Sequence, residues 1–255
     1  MKLYFLGTGT SQGIPVIGSK DPVCLSTNQK DKRLRVSVWI KTADSSIVID
    51  CGPDFRQQML SSGCDKIDAF LLTHEHADHT AGLDDIRPYF FKQGALPFYA
   101  HQRVLDNLNT RFDYIFNDEN KYPGAPSVEK HTILKNTPFK INNTLVEPID
   151  ALHGNLQVFG FKINKVVYLT DVKTMEDDQI EKIKHCSVLI VNCLHEREHH
   201  SHFNLNEILA FVEKVNPQIT YLTHISFTFG FHDEIEAKLP ENIKVAYDNL
   251  EITID

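Results

Sequence analysis

What this sequence lacks narrows it first. No apolar run approaches the roughly 18 residues that a membrane-spanning helix requires, so no membrane partner is expected. The opening MKLYFLGTGT has one lysine and a short apolar stretch. It reads as a first strand, not a secretory leader, and a cytoplasmic location is expected. The five cysteines (Cys24, Cys51, Cys64, Cys186 and Cys193) are odd in number and form no C-x-x-C pair. That argues against a disulfide framework or a four-cysteine zinc site, and for reduced thiols. A basic excess is missing too. The formal net charge is −8, and the densest basic run (Lys30, Lys32, Arg33, Arg35) is short. Chains that grip nucleic acid through its phosphates usually present a basic face. Nucleic acid is therefore not favoured as a partner, and that run reads as a solvated loop edge. No low-complexity tract or Pro/Gly/Ser linker divides the 255 residues. One domain, 1–255, is the expectation.

What is present is a repeated alternation of short β-branched runs and helical windows. The predicted strands are KLYFLG, RVSVWIKT, SSIVIDCG, KIDAFLLT, LPFYA, QVFGFKI, KVVYLTD, SVLIVNC, ITYLTH and IKVAYD. Helical spacing marks DFRQQMLSS, with Pro53 as its first residue, then QRVLDNLNTRFDYIF, MEDDQIEKIK and NLNEILAFVEKV, the last capped by Asn204 or Asn206. NDENKYPGAPSVEK, 117–130, reads as a surface loop. The pattern predicts a layered α/β architecture with sheets inside and helices outside.

The chemistry concentrates where the strand AFLLT runs into HEHADH, residues 74–79. His74, His76, Asp78 and His79 are four potential ligands in six residues. In extended backbone His74 and His76 share a side, and a turn brings Asp78 and His79 to face them. Neutral imidazoles with a carboxylate suit zinc, manganese or iron. The helical zincin pattern H-E-x-x-H is absent. Four ligands cannot close two metal sites. His153, Asp171 and His224 each follow an apolar run, where a strand would deliver them to one sheet edge.

HEHADH followed by His153, Asp171 and His224 resembles the metallo-β-lactamase superfamily over essentially the whole chain. The resemblance implies an αββα sandwich with two divalent metal ions. His74, His76 and His153 would hold one, Asp78, His79 and His224 the other, and Asp171 would bridge them. GTGTSQGIP, IDCGPDFRQQML, GLDDIRP, LTHIS and AYDNL are similar to the PhnP-like phosphodiesterase branch, named for a cyclic ribose phosphate phosphodiesterase, with tRNase Z a near relative. Members of that branch often carry a further structural zinc. Here Ser19 and Asp21 stand where two of its cysteines would be, Cys24 alone remains, and Phe227 replaces its histidine. No structural zinc is expected.

The resemblance implies a phosphodiesterase for a small, cyclic or linear substrate. The charge count agrees: two divalent ions, Asp78, Asp171 and a hydroxide leave about +1, which suits a phosphodiester monoanion. A leaving alkoxide still needs a proton or an electrostatic partner. LHEREHHSHFN, 194–204, brings His195, His199, His200 and His202 between a strand and a helix. By resemblance His202 is the catalytic residue that faces the phosphate, with His200 second, and Glu196 would orient it. Asp78 is counted in both the catalytic and the metal sets. Asp50 is a candidate to accept a hydrogen bond from a ligand imidazole. Asp84 and Asp85 read as first-turn helix residues, Gly7 and Gly9 as a rim turn, and His101, His131, His185 and His232 as surface or edge positions. The competing functions are a tRNA 3′-endonuclease, for which no Gly/Pro-rich arm is seen, a glyoxalase II-like thioester hydrolase, and a non-catalytic binding protein. A homodimer is left open.

Overall fold

The computed structural model describes residues 1–117, 119 and 121–254. Its strands, in chain order, are β1 (Lys2–Gly7), β2 (Ser37–Lys41), β3 (Ser46–Ile49), β4 (Ala69–Leu71), β5 (Leu96–Ala100), β6 (Val128–Thr132), β7 (Phe139–Ile141), β8 (Thr144–His153), β9 (Leu156–Ile163), β10 (Val166–Leu169), β11 (Val188–Asn192), β12 (Ile219–Thr223), β13 (Ile243–Val245) and β14 (Glu251–Thr253). They form two seven-stranded sheets, ordered β14-β1-β2-β3-β4-β5-β6 and β13-β12-β11-β10-β9-β8-β7.

Period-2 alternation explains the layers, because successive strand residues point to opposite faces. Leu3, Phe5, Val38, Ile40, Ile47, Ile49 and Leu71 of the first sheet meet Val146, Phe159, Phe161, Val166, Tyr168, Val188 and Ile190 of the second. Their sequence neighbours face outward. Trp39, Val48 and Phe70 pack with residues of the helices Phe55–Ser62, Arg87–Gln93 and Gln102–Arg111. Val167, Leu169, Leu189 and Val191 pack with those of Asp177–Ile183 and Leu205–Val215. The result is a four-layer αββα sandwich. Burying a side chain such as Phe159 or Ile190 contributes about 1.5–3 kcal/mol relative to leaving it exposed.

The helices stop where their sequences say they should. Gly63 (φ 65°) and Asn216 (φ 53°) take the left-handed conformation after Phe55–Ser62 and Leu205–Val215. Asn204 caps the latter in a reciprocal capping box with Glu207. Other features depart from expectation. Pro53 precedes its helix in a turn, and Asp54 is the N-cap. The window 102–116 breaks at Phe112 into two helices. Strands β6, β7, β8 and β14 add to the predicted set. VEKHT, at the sheet edge, has no apolar alternation to reveal it. The expected loop 117–130 gives way to β6 from Val128, and Asp118 and Asn120 within it lie outside the described residues. Among the described residues no helix is long and apolar enough to cross a membrane. All five cysteines are free and buried.

Strand direction positions the site. β3, β4, β5 and β6 run parallel, as do β10, β11, β12 and β13. β8 and β1 run with these sets, each through one antiparallel intermediate. The C-terminal ends of β3, β4, β8, β10, β11 and β12 thus open on one edge. Such edges are where open α/β sheets bind ligands.

Candidate metal centre

Each predicted ligand follows one of those strand ends. His74 comes after β4, His153 closes β8, Asp171 follows β10 and His224 follows β12. Asp50 follows β3. Asp50, Asp171 and His224 have φ of 64°, 55° and 57°. Non-glycine residues seldom enter that left-handed region, though Asp and His tolerate it better than most. The fold holds these three strained turns at the point where the side chains must swing inward.

The seven candidate ligands gather in two groups that share Asp171: His74, His76, His153 and Asp171, and Asp78, His79, Asp171 and His224. Within each group the ligand atoms lie within 4.8 Å of one another. Asp171 Oδ2 is 3.7 Å from His74 Nε2, 3.7 Å from His153 Nε2 and 3.5 Å from His79 Nε2, so it faces both groups. His224 Nε2 is 3.0 Å from Asp171 Oδ1 and 3.7 Å from Asp78 Oδ2. His79 Nε2 is 3.2 Å from Asp78 Oδ2, and His74 Nε2 is 2.9 Å from His76 Nδ1. Ligands about 2.0–2.1 Å from a tetrahedral zinc sit roughly 3.3 Å apart, so these separations fit. A second observation concurs. His79 Nε2 and both ring nitrogens of His224 are buried without a hydrogen-bond partner. His79 Nε2 and His224 Nε2 each lie within 3.7 Å of Asp78 and Asp171 oxygens without forming a hydrogen bond, as groups aimed at a shared point would. The residues present fit a pair of divalent cations. His74, His79, Asp171 and His224 are buried while His76 is exposed, so the centre opens on the His76 side.

Electrostatics inside the cluster are mutual. Burial favours a neutral Asp171, but His224 and His79 overcome it and hold the carboxyl well below its usual range. Asp78 likewise lies below its usual range, burial being outweighed chiefly by His79 and His224. Burial lowers His74 and His153. His79 goes the other way: against burial, Asp78, Asp171 and Asp50 raise it well above its usual value. A ligand imidazole must be neutral, so a cation bound here would displace any proton that His79 holds.

Asp50 is the anchor beneath both groups. Fully buried, it accepts from His79 Nδ1 at 2.7 Å. It also accepts from the Thr73 amide at 2.9 Å and from the Thr73 hydroxyl at 2.9 Å. The Thr73 oxygen lies 3.0 Å from His74 Nδ1 and accepts that proton in turn. One carboxylate thereby sets the tautomer of a ligand in each group, directly for His79 and through Thr73 for His74. Asp50→Asn is expected to weaken both cations about 10- to 100-fold, measured by chelator competition. Unchanged affinity at the His74 group would show that Thr73 passes nothing on.

Other supports carry no motif. Glu75, inside HEHADH, turns away from the centre. Arg103 forks onto it at 2.9 and 3.1 Å and also donates to the Gln157 carbonyl of β9 at 2.7 Å, tying the metal loop to both sheets. Arg111 Nη1 holds the Glu75 carbonyl at 2.8 Å. Asn192, buried at the end of β11, accepts from the Val172 amide at 2.7 Å and donates to its carbonyl at 3.0 Å, fixing the turn after Asp171. An asparagine closing the apolar run LIVN was the only sequence signal. A Cβ at Gly52 would lie 2.1 Å from the Asp78 carbonyl oxygen, and one at Gly82 would lie 2.1 Å from that of Gly52. Only glycine permits this approach, which explains the glycines of IDCGP and GLDD. Asp84 and Asp85 do occupy the first turn of a short 3₁₀ segment, and Asp84 pairs with Arg87 at 3.0 Å.

The histidine-rich segment lies on the rim. His153 Nδ1 donates to the Ser201 carbonyl at 2.8 Å, leaving Nε2 for the centre. The His202 ring is 4.5 Å from that of His153 and 4.8 Å from that of His224. His202 is 7% exposed, and its Nδ1 is buried without a partner. Burial pushes it down to about 2. His200 is exposed. Glu196 does not reach His202: it is exposed, with its carboxylate 3.9 Å from Lys238 Nζ, because residues 196–198 bulge outward.

Asp21 accepts from the Val23 amide at 2.9 Å, and Ser19 from the Asp21 amide at 3.2 Å. Cys24 packs in an apolar cluster with Ile14 and Val23, against Val16, Phe227 and Phe231. His232, expected at the surface, is 1% exposed and lies 3.2 Å from Arg33. Arg33, taken for a loop-edge residue, is itself buried, donating to Thr8 and to the Ala246 carbonyl. This buried polar knot holds the rim loops.

A profile of the Beta-lactamase superfamily domain matches residues 45–225. The chain is 40% identical over its whole length to a Porphyromonas gingivalis protein named octanoyltransferase, covering 52% of that protein. It is 29% identical to a ribonuclease Z of Bacillus licheniformis over 65% of this chain and 49% of that one. It thus spans about half the length of the curated relatives it matches. Among solved structures, a diphosphatase of the PhnP family superposes with a TM-score of 0.92 and 33% identity, covering 100% of this chain and 98% of that one. A zinc-bound PqqB from Methylobacterium extorquens gives 0.81 at 16% identity, covering 100% of both chains, which shows the fold alone.

Proposed function

The chain belongs to the β-lactamase superfamily, and on that premise we propose that it is a metal-dependent hydrolase of small phosphodiesters. One observation carries this reading. His202 stands over two ligand groups joined by Asp171, in a chain 33% identical to a PhnP-family diphosphatase across its full length. His74, His76 and His153 would hold one divalent ion, Asp78, His79 and His224 the second, with Asp171 between them. Such a pair supplies Lewis acidity toward phosphoryl oxygens and lowers the pKa of water toward about 7. Zinc, manganese and iron all suit these donors.

The chain's own residues do the rest. Asp50 and the Ser201 carbonyl hold three ligand imidazoles in one tautomer. The carboxylates Asp78 and Asp171 leave the loaded centre near +1, so a phosphodiester monoanion is drawn in despite the net charge of −8. Among the described residues no carboxylate hydrogen-bonds to His202, and in that dry position a neutral imidazole donates its N–H to the phosphoryl oxygens where charge gathers.

The test is a metal-reconstituted screen. Its substrates are bis-p-nitrophenyl phosphate, 2′,3′-cyclic nucleotides, a ribosyl 1,2-cyclic phosphate, an octanoyl thioester and a tRNA precursor. Phosphodiester cleavage should dominate. The octanoyl arm follows the name of the P. gingivalis relative, and the tRNA arm that of the Bacillus one. Turnover of the thioester alone would sink the phosphodiester reading.

A further inference from the structure

The five ligand imidazoles are not equally supported. His79 Nδ1 is held by Asp50 at 2.7 Å, His74 Nδ1 by the Thr73 hydroxyl at 3.0 Å and His153 Nδ1 by the Ser201 carbonyl at 2.8 Å. Such a hydrogen bond behind a ligand imidazole fixes its orientation. His224 Nδ1 lacks one, but that ring is 1% exposed and confined by its surroundings. His76 is exposed and lacks one too. Among the described residues its ring has one hydrogen-bonding contact, Nδ1 to His74 Nε2 at 2.9 Å. That is a contact between two ligands, not a support behind one. For His76 the backbone must do the positioning.

That backbone is clamped. The Glu75 carbonyl accepts from Arg111 Nη1 at 2.8 Å, and the His76 carbonyl from the Thr80 hydroxyl at 2.8 Å. The Glu75 carboxylate takes the Arg103 fork at 2.9 and 3.1 Å. Arg103 Nη2 also donates to the Gln157 carbonyl at 2.7 Å. In the β8–β9 hairpin Gln157 pairs with Leu152, and the next pair is His153 with Leu156. One guanidinium therefore joins the residue before His76 to the hairpin that carries His153. The rings of those two ligands lie 5.4 Å apart. Arg103 is itself fixed in the first turn of Gln102–Arg111, its amide donating to His101 Nδ1 at 3.1 Å. The other ligand group is anchored elsewhere. The Cys51 amide holds the His79 carbonyl at 2.7 Å, Asp50 holds the His79 ring, and His224 follows β12.

We propose that Arg103 is a positioning residue for one cation of the pair. It fixes the separation of His76 and His153 and so sets the affinity of the His74, His76 and His153 group. The Asp78, His79 and His224 group does not depend on it, whereas Asp50 serves both. A guanidinium suits this task, because its planar fork meets both carboxylate oxygens and keeps a donor for a third acceptor. A lysine ammonium is a point charge without that rigid fork. The inference rests on the two-cation reading above and is indifferent to the substrate.

Zinc affinity of the full chain is measured by chelator competition in two backgrounds. His224→Ala leaves the His74 group as the intact site, and His76→Ala leaves the His224 group. Arg103→Met should weaken zinc about 10- to 100-fold in the first background, the scale of losing a ligand's supporting partner, and leave the second unchanged. Glu75→Gln should act in the same direction. Combined with Arg103→Met it should add nothing, because the two residues form one clamp. Arg103→Lys should recover only part of the loss. Far-UV circular dichroism of the metal-free variants checks folding. If Arg103→Met does not fold, Arg103→Lys and Glu75→Gln are judged by the same site-selective loss. Equal loss in both backgrounds, or none in either, overturns the inference. If wild type holds two equivalents and the Arg103 variants match it, this inference alone falls. If wild type takes up no zinc, manganese or iron, the two-cation reading falls with it.

Discussion

His202→Ala is expected to lower kcat by about 10²- to 10³-fold with both metal equivalents still bound, the usual cost of removing one transition-state donor. His202 ligates nothing in either group, yet its ring lies within 4.8 Å of ligand rings from both. Metal content, measured on the same preparation by elemental analysis, separates it from the ligands. His202→Gln discriminates its role further. A glutamine donates N–H but transfers no proton, so partial recovery of turnover marks hydrogen bonding to the phosphate. Full activity in His202→Ala would remove the residue from the mechanism.

Asp171→Asn is expected to do the opposite: to abolish turnover by emptying the centre. Its two oxygens lie 3.0–3.7 Å from nitrogens of His74, His79, His153 and His224. The amide keeps the volume but removes the one negative charge common to both groups. Imidazoles held at these distances then lack the anion that compensates bound cations. Affinity should fall by more than the roughly 100-fold upper range seen when a ligand's supporting partner is lost. Chelator competition reads the loss, and far-UV circular dichroism of the metal-free protein checks that the variant still folds. Two equivalents held at wild-type affinity would refute the bridging role.

The site was unevenly legible. HEHADH was readable because its four ligands fall within six residues and follow an apolar run. His153, Asp171 and His224 were readable only as polar residues at strand ends, given meaning by resemblance. Asp50 was readable only as a candidate acceptor, since its partner His79 is 29 residues away. Arg103 meets the Gln157 carbonyl across 54 residues and His153 meets Ser201 across 48, so neither pairing leaves a local pattern. His232 shows the converse error. Without a motif it looked peripheral, yet it is buried beside Arg33.

Local chemistry by itself determined the layers of this protein and the donor types of its centre. Alternating apolar residues dictate which strand faces are buried, and side-chain chemistry dictates that imidazoles and carboxylates prefer divalent cations. Tertiary structure alone decided which of several similar histidines matter. His199, His200 and His202 are equivalent as letters. They differ because β8, β10, β11 and β12 end at one edge, burying His202 between ligand rings, leaving His199 half-covered and His200 in solvent. Burial and convergence depend on contacts dozens of residues apart, and no short stretch of sequence encodes them.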